Sequence, residues 1–151
     1  MIRRPFDELE VGERLVSRGR TITEADLVFF CYFTGNWEGL HADEEFARKT
    51  RFGTRIGSGR MLIALVSGLL PPSPDIELAF YGLDKVRFTA PVHIGDTIHY
   101  EANVVSKELR DDKYGVVSVE VRALNERNEL LMVATERILV GRSRIAESGA
   151  H

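Results

Sequence analysis

Residues 56–70 read Ile56-Gly57-Ser58-Gly59-Arg60-Met61-Leu62-Ile63-Ala64-Leu65-Val66-Ser67-Gly68-Leu69-Leu70. From Met61 to Leu70 the segment is apolar at nearly every position, whereas a surface helix is apolar along one stripe only. The helix must end at the prolines of residues 71–74, because proline lacks the N–H group that a helix needs. The pattern predicts a buried helix with a glycine-rich start, wrapped by the rest of the chain.

The chain after these prolines has the pattern of β-strands separated by turns. Strands are predicted over residues 77–88, 96–107, 114–124 and 130–140. In the third of them Val117, Val119 and Val121 alternate with polar residues, which is typical of a half-buried antiparallel strand.

The segment before the apolar helix predicts one strand and two helices. Residues 14–21 alternate enough to form a first, irregular strand. Thr23 is followed by acidic residues and predicts the N-cap of a helix that ends near Gly35. The apolar stripe of this helix consists of Ala25, Val28, Phe29, Tyr32 and Phe33. Asp43 is expected to cap a second, short helix over residues 44–49.

These elements together predict an α+β architecture in which an antiparallel sheet curls around a central apolar helix. We expect a single domain over residues 1–151, with a core of about residues 5–140 and a loose tail over residues 141–151. Such a small sheet leaves an edge or a face uncovered, and pairing of two copies would cover it. A homodimer is therefore the expected state.

Composition excludes several classes of function. The formal net charge is -3 and Lys and Arg form no long block, so nucleic acid is not an expected partner. Cys31 is the only cysteine, and with scattered His residues it does not supply the three or four ligands of a zinc site. No apolar run approaches the roughly 20 residues needed to cross a bilayer, and residues 1–8 do not resemble a secretory signal. A cytoplasmic protein without membrane contact is expected.

A histidine lies in a polar, glycine-bounded stretch, Thr34-Gly35-Asn36-Trp37-Glu38-Gly39-Leu40-His41-Ala42-Asp43. The glycine-rich start of the apolar helix follows it and offers backbone N–H groups without intrahelical partners. A general base beside such donors indicates chemistry on a carbonyl compound.

Three blocks of the sequence resemble the MaoC-like dehydratases, the hydratase branch of the hot-dog fold. Residues 34–43 are similar to the family's Gly-Asp-x-Asn-Pro-x-His-x-Asp loop, and residues 56–62 to its Ile-Ala-His-Gly-Met-Leu helix start. Residues 86–97, Val86-Arg87-Phe88-Thr89-Ala90-Pro91-Val92-His93-Ile94-Gly95-Asp96-Thr97, are similar to the strand and turn that follow. The order and spacing of the blocks imply the hot-dog fold over about residues 5–140.

The resemblance implies hydration of trans-2-enoyl-CoA to (R)-3-hydroxyacyl-CoA, or the reverse dehydration, without a metal or redox cofactor. Family members bind the acyl-CoA, or an acyl carrier protein thioester, in a tunnel at the dimer interface. By position, His41 takes the role of the catalytic His, and the N–H of Gly59 that of the oxyanion donor. Gly57, Ser58, Arg60 and Trp37 are then expected to contact substrate.

Two residues depart from the family pattern in the loop. Asn36 occupies the position of the family's catalytic Asp, and an amide cannot take up or return a proton. Glu38 stands where the family has Asn, and its carboxylate is a candidate to replace the missing acid.

Arg60 is a third departure, because a cation in the first turn opposes the helix dipole. Two explanations are open. Arg60 can bind a second carboxylate on the substrate, or it can form a salt bridge with Glu38 or Asp26.

Two other functions remain open beside the hydratase. An acyl-CoA thioesterase would use the same helix start to polarise the thioester, with Glu38 or Asp43 activating water. A catalytically silent acyl-binding subunit would explain Asn36, and it could support an active paralogue with Asp at that position in a heterodimer.

Overall fold

The computed structural model describes residues 1–144. After a 3-10 turn at Phe6–Glu8, the helices are α1 (Glu24–Thr34), α2 (Gly39–Ala42), α3 (Glu44–Arg48) and α4 (Gly59–Leu69). The strands are β1 (Arg14–Val16), β2 (Arg20–Thr21), β3 (Ile56–Gly57), β4 (Glu77–Phe88), β5 (Val92–His93), β6 (Thr97–Leu109), β7 (Tyr114–Leu124) and β8 (Leu130–Gly141).

The main sheet is antiparallel, with the strand order β1-β6-β7-β8-β4, and β2 adds to β6 beside β1. The predicted α+β architecture, an antiparallel sheet against a central helix, is confirmed. Predicted strands 77–88 and 114–124 match β4 and β7, whereas the single strand predicted over 14–21 divides into β1 and β2. Strand β4 lies at the end of the sheet and carries three register shifts.

Helix α4 packs its buried face against the sheet. Its buried residues include Met61, Leu62 and Val66, and they belong to one cluster with the inward residues of β6, β7 and β8. Tyr100 of β6 is fully buried and donates a hydrogen bond from its hydroxyl to the carbonyl of Leu62, at 2.6 Å. Burial raises the pKa of the Tyr100 hydroxyl, so it remains a donor to α4.

The expectation that α4 is wrapped on every side is wrong for the single chain. The exposed residues of α4 are Arg60, Ala64, Ser67 and Gly68, which share one face of the helix. A single curved sheet covers only one side of a helix, so this face remains open.

Helix α1 begins and ends as the sequence predicts. Thr23 and Asp26 form a capping box, and Gly35 closes the helix in the left-handed conformation with φ 70°. The apolar stripe, however, does not enter the core. Leu27 and Cys31 are the buried residues, whereas Phe29 is 67% exposed. All five members of the stripe are exposed, namely Ala25, Val28, Phe29, Tyr32 and Phe33.

Residues 1–144 contain no helix with the length and apolarity that a bilayer crossing requires. Most of the loose tail predicted over residues 141–151 lies outside the described residues, and β8 itself continues to Gly141.

Candidate active site

A cavity of about 370 Å³ lies where α2, the start of α4 and the connection from β4 to β5 meet. Its wall holds seven of the eight residues that the sequence predicts for the site: Asn36, Glu38, His41, Gly57, Ser58, Gly59 and Arg60. Trp37 is the exception, because its side chain is 54% exposed and does not belong to the wall.

His41 lies on α2, a one-turn helix that the sequence did not predict within the loop. The side chain is buried, and its Nδ1 atom lies 2.8 Å from the carbonyl oxygen of Ile56. A carbonyl only accepts hydrogen bonds, so Nδ1 carries the proton in the neutral ring and Nε2 is the basic nitrogen. The fixed tautomer gives the cavity wall a proton acceptor.

Strand β3 leads directly into the start of α4, and the close packing there requires glycine at positions 57 and 59. A Cβ atom on Gly57 would lie 2.6 Å from Val92 Cγ1 and 2.8 Å from Met61 Cε. A Cβ atom on Gly59 would lie 2.9 Å from the ring of Phe88. Both glycines therefore permit close approach of the backbone to neighbouring side chains, with the cavity on the same wall.

The start of α4 offers N–H donors to the cavity. Ser58 is the N-cap, but its side chain makes no capping hydrogen bond. The N–H of Met61 already donates to the carbonyl of Ser58 at 2.9 Å, while Gly59 and Arg60 precede it in the first turn. Because first-turn N–H groups lack intrahelical partners and carry the positive end of the dipole, they favour an oxyanion.

Asn36 and Glu38 line the same wall, the first with a neutral amide and the second with a carboxyl group. The backbone N–H of Glu38 donates to Asn36 Oδ1 at 3.4 Å, and the N–H of Asn36 donates to Thr34 Oγ1 at 3.3 Å. The amide of Asn36 thus has an internal role in shaping the loop. Its carbonyl oxygen is engaged, and its NH₂ group is the remaining donor.

Arg55 connects the helices around the site to β3. Its guanidinium donates two hydrogen bonds to Glu24 of α1, both at 2.8 Å, and a third to Glu44 of α3 at 3.2 Å. The hydrogen bond from Arg55 lowers the pKa of Glu24. A backbone hydrogen bond from Arg55 is the main cause of the lowered pKa of Glu44. The next residue is Ile56, so these pairs brace the strand that anchors His41.

The salt bridge expected for Arg60 is absent, so that explanation is wrong. Asp26 pairs with Arg20 and with the N-cap Thr23. Within residues 1–144, no ion pair connects Arg60 to Asp26 or to Glu38.

Asp43, which a thioesterase reaction could use, has a structural role. Its side chain accepts a hydrogen bond from Phe46 N at 3.0 Å and caps α3, as predicted. It does not belong to the cavity wall, where the carboxylate is that of Glu38.

Sequence reasoning did not name nine further residues of the wall, among them Arg51, Phe52 and Phe88. Phe88 falls within the third matching block of sequence, so a signal for it existed. Arg51 and Phe52 follow α3 in a turn that lies outside the three blocks, and only the fold brings them to the cavity.

The described residues include no group of three or more His, Cys, Asp or Glu that could hold a metal ion. Cys31 is buried, and burial raises the pKa of its thiol. A raised pKa disfavours the thiolate, so Cys31 packs as a small apolar residue.

Comparison with known sequences identifies a family over most of the chain. A sequence model described as the MaoC like domain matches residues 8–126. Protein MaoC of Klebsiella aerogenes is 33% identical over 112 residues, which cover 74% of this chain and 33% of that protein. The 3-hydroxybutyryl-CoA dehydratase of Methylorubrum extorquens is 36% identical over 99 residues, 66% of this chain and 62% of that enzyme. The chain thus spans a third to about three fifths of the length of these two relatives.

A third relative is matched over more of its length. The (R)-specific enoyl-CoA hydratase of Aeromonas caviae is 31% identical over 105 residues, 70% of this chain and 76% of that enzyme.

Solved structures share the fold. A monoamine oxidase regulatory protein from Archaeoglobus fulgidus superposes with a TM-score of 0.88 at 36% identity, over 93% of this chain and 95% of that chain. A conserved hypothetical protein from Mycobacterium tuberculosis, described as a double hotdog fold, has a TM-score of 0.83 at 15% identity. The superposition covers 98% of this chain and 46% of that protein. The fold of this chain is therefore the hot-dog fold.

Proposed function

The chain belongs to the MaoC-like domain family, and on this premise we propose that it hydrates trans-2-enoyl thioesters to (R)-3-hydroxyacyl thioesters, or catalyses the reverse dehydration. Relatives named as a 3-hydroxybutyryl-CoA dehydratase and an (R)-specific enoyl-CoA hydratase support this reaction class. The observation that carries the proposal is the position of His41, with its tautomer fixed, on the same cavity wall as the N-terminus of α4.

In the hydration direction, His41 Nε2 accepts a proton from water while the water oxygen forms a bond to C3. The π electrons of the double bond move toward the thioester oxygen and give an enolate. The N–H of Gly59, with the dipole of α4, stabilises that negative charge. The enolate then takes a proton at C2, and the net change is addition of one water across the double bond.

The proton at C2 requires a donor, and Asn36 cannot supply it. The imidazolium of His41 is one source. Glu38 in its protonated form is the other, because its side chain belongs to the same wall and no ion pair within residues 1–144 engages it. The proton that His41 takes from water then restores the acid form of Glu38. We assign Asn36 a positioning role toward the water and Glu38 a share in proton transfer.

The reaction needs no redox cofactor, because no electrons leave the substrate. Acid–base groups and an oxyanion donor supply the chemistry, so the thioester is the small-molecule partner, carried by coenzyme A or by acyl carrier protein. We further propose that residues 5–140 act as one domain.

A second copy of the chain is the proposed macromolecular partner. The exposed stripe of α1 and the edge strand β4 present large apolar side chains without a partner in the single chain. Phe80 and Tyr81 of β4 are among the exposed large side chains. A dimer would cover surfaces of this kind, which monomeric proteins rarely expose.

Loss of the enoyl-thioester ultraviolet absorbance tests the proposal with crotonyl-CoA and longer trans-2-enoyl-CoAs. Wild-type protein is expected to consume substrate, and His41→Ala to lose at least about 100-fold in kcat, a typical contribution of acid–base catalysis. Asn36→Asp is expected to raise kcat. Retained turnover in His41→Ala would refute the assigned base.

Asn36 favours one alternative, a catalytically silent subunit that binds acyl thioesters. In that case wild-type protein is inert and Asn36→Asp gains turnover. Copurification with a paralogue that carries Asp at this position would then identify a heterodimer.

A further inference from the structure

The cavity wall carries two guanidinium groups, from Arg51 and Arg60, and one carboxylate, from Glu38. Neither arginine forms an ion pair within residues 1–144. The guanidinium of Arg51 lies over the ring of Phe52, 5.0 Å from its centroid. The wall therefore holds two guanidinium groups and a single carboxyl group.

Three acids of α1 and α3 are paired with other arginines, whereas Glu38 of the cavity wall forms no ion pair within residues 1–144. Arg55 takes Glu24 and Glu44, and Arg20 takes Asp26. Arg60 also lies in the first turn of α4, where the helix dipole disfavours a cation. An unpaired cation in an unfavourable field, on the wall of a cavity, is typical of a site that receives an anion from a ligand.

We infer that the preferred acyl group carries a second carboxylate and that Arg60 binds it. This inference rests on the proposed function, because it places the thioester oxygen on the N–H of Gly59. Arg60 is the next residue and lines the same cavity, so we place the acyl carboxylate beside its guanidinium. The phosphates of coenzyme A lie at the far end of the pantetheine arm. A short dicarboxylic enoyl monothioester matches this arrangement, and guanidinium recognises carboxylate through two parallel hydrogen bonds.

Butyryl-CoA and succinyl-CoA provide a direct test, because they are unreactive toward hydration and differ only in the methyl or carboxylate at the chain end. Calorimetric titration of wild-type protein is expected to give roughly 10- to 100-fold tighter binding of succinyl-CoA, the range of a charge-assisted hydrogen bond. Arg60→Met is expected to remove this preference, because it weakens the binding of succinyl-CoA more than that of butyryl-CoA.

Control variants separate the local contact from general charge. Lys49→Met removes one positive charge two residues before Arg51, from an exposed residue that does not line the cavity, and it should keep the preference. Arg60→Gln repeats the test with a polar side chain. Melting curves establish that each variant is folded. If Arg51→Met rather than Arg60→Met abolishes the preference, the assignment to Arg60 is wrong.

Other results overturn the inference outright. Equal affinity of wild-type protein for the two ligands excludes recognition of an acyl carboxylate. Equal weakening of both ligands by Arg60→Met assigns the arginine to the phosphates of the carrier.

A parallel turnover assay distinguishes failure of the Arg60 inference from failure of the proposed hydratase function. Turnover of crotonyl-CoA without succinyl-CoA selectivity refutes the inference alone. Selectivity in binding without turnover of either crotonyl-CoA or its carboxylated trans-butenedioyl analogue refutes the hydratase and retains the acyl-binding role of Arg60. No binding of either ligand refutes both.

Discussion

The Nδ1 atom of His41 lies 2.8 Å from the carbonyl oxygen of Ile56, which is three residues before Gly59 in the chain. The proposed base and the proposed oxyanion donor are therefore held by one short strand. This strand pairs with Val92 and His93 of β5, and Arg55, the residue before it, is fixed by ion pairs with Glu24 and Glu44. Preorganised geometry of this kind limits the reorganisation that a reaction would require.

Glu38 is expected to contribute to turnover. Glu38→Gln keeps the shape of the side chain and removes its ability to exchange a proton, so kcat should fall by roughly 10- to 100-fold, at or below the lower range for general acid–base groups. Initial rates with crotonyl-CoA measure the effect. Glu45→Gln is the control, because Glu45 is an exposed residue of α3 that pairs with Arg48. Unchanged kcat in Glu38→Gln would show that Asn36 has no carboxylate substitute in this loop.

Gly57 is expected to be essential for close packing beside the site. The Cβ of Gly57→Ala would collide with Val92 and Met61, so we expect a loss of about 1–3 kcal/mol in the free energy of unfolding. Gly68→Ala is the matched control within α4, because no atom lies within 4 Å of its Cβ position. That change should be neutral or stabilise by about 0.5–1 kcal/mol. Urea denaturation measures both, and equal stabilities would contradict the packing argument.

The sequence predicted the fold because its signals were local. Thr23 and Asp26 specify a capping box with each other, and the alternation from Val117 to Ala123 specifies a buried strand face. The bounds of β4 and β7 follow from such patterns alone. The one-turn helix α2 carries no cap or apolar period that would have revealed it.

The site was predictable only in part, because several of its features depend on distant residues. The seven predicted residues that line the wall lie in two blocks of sequence that match a family pattern. The ion pair between Asp26 and Arg20 could not be predicted from the sequence, because an acid on a helix can pair with any of several nearby cations. The exposed position of Phe29 was not readable either, since an apolar stripe has the same pattern whether it faces a core or a partner.

Arg55 is expected to make stability depend on pH. The folded-state pKa values of Glu24 and Glu44 are lowered. Such carboxyl groups add stability at pH values above their unfolded pKa, and this stability is lost as the pH falls through their folded pKa. The melting temperature of wild-type protein should therefore exceed that of Arg55→Met near pH 6, and the difference should shrink as the pH falls below 4.5.

Thermal melts between pH 3 and 7 measure this difference for Arg55→Met. Arg122→Met is the control, because Arg122 forms a single half-exposed pair with Glu101 on the sheet. Surface pairs contribute at most about 1 kcal/mol, so the control should lose little stability at any pH. A difference for Arg55→Met that stays constant down to pH 3 would exclude Glu24 and Glu44 as its origin.

The α1 stripe is expected to mediate self-association. Phe29 is 67% exposed and Phe33 is 76% exposed, and the two rings stack with centroids 6.3 Å apart. Charged groups would be buried without partners in an interface, so Phe29→Asp with Phe33→Asp should shift a dimer toward monomer in sedimentation velocity. Val11→Asp is the control, at an apolar residue that is 60% exposed but lies away from α1. If both variants sediment like wild-type protein, the second copy does not bind this stripe, and the edge of β4 becomes the surface to test.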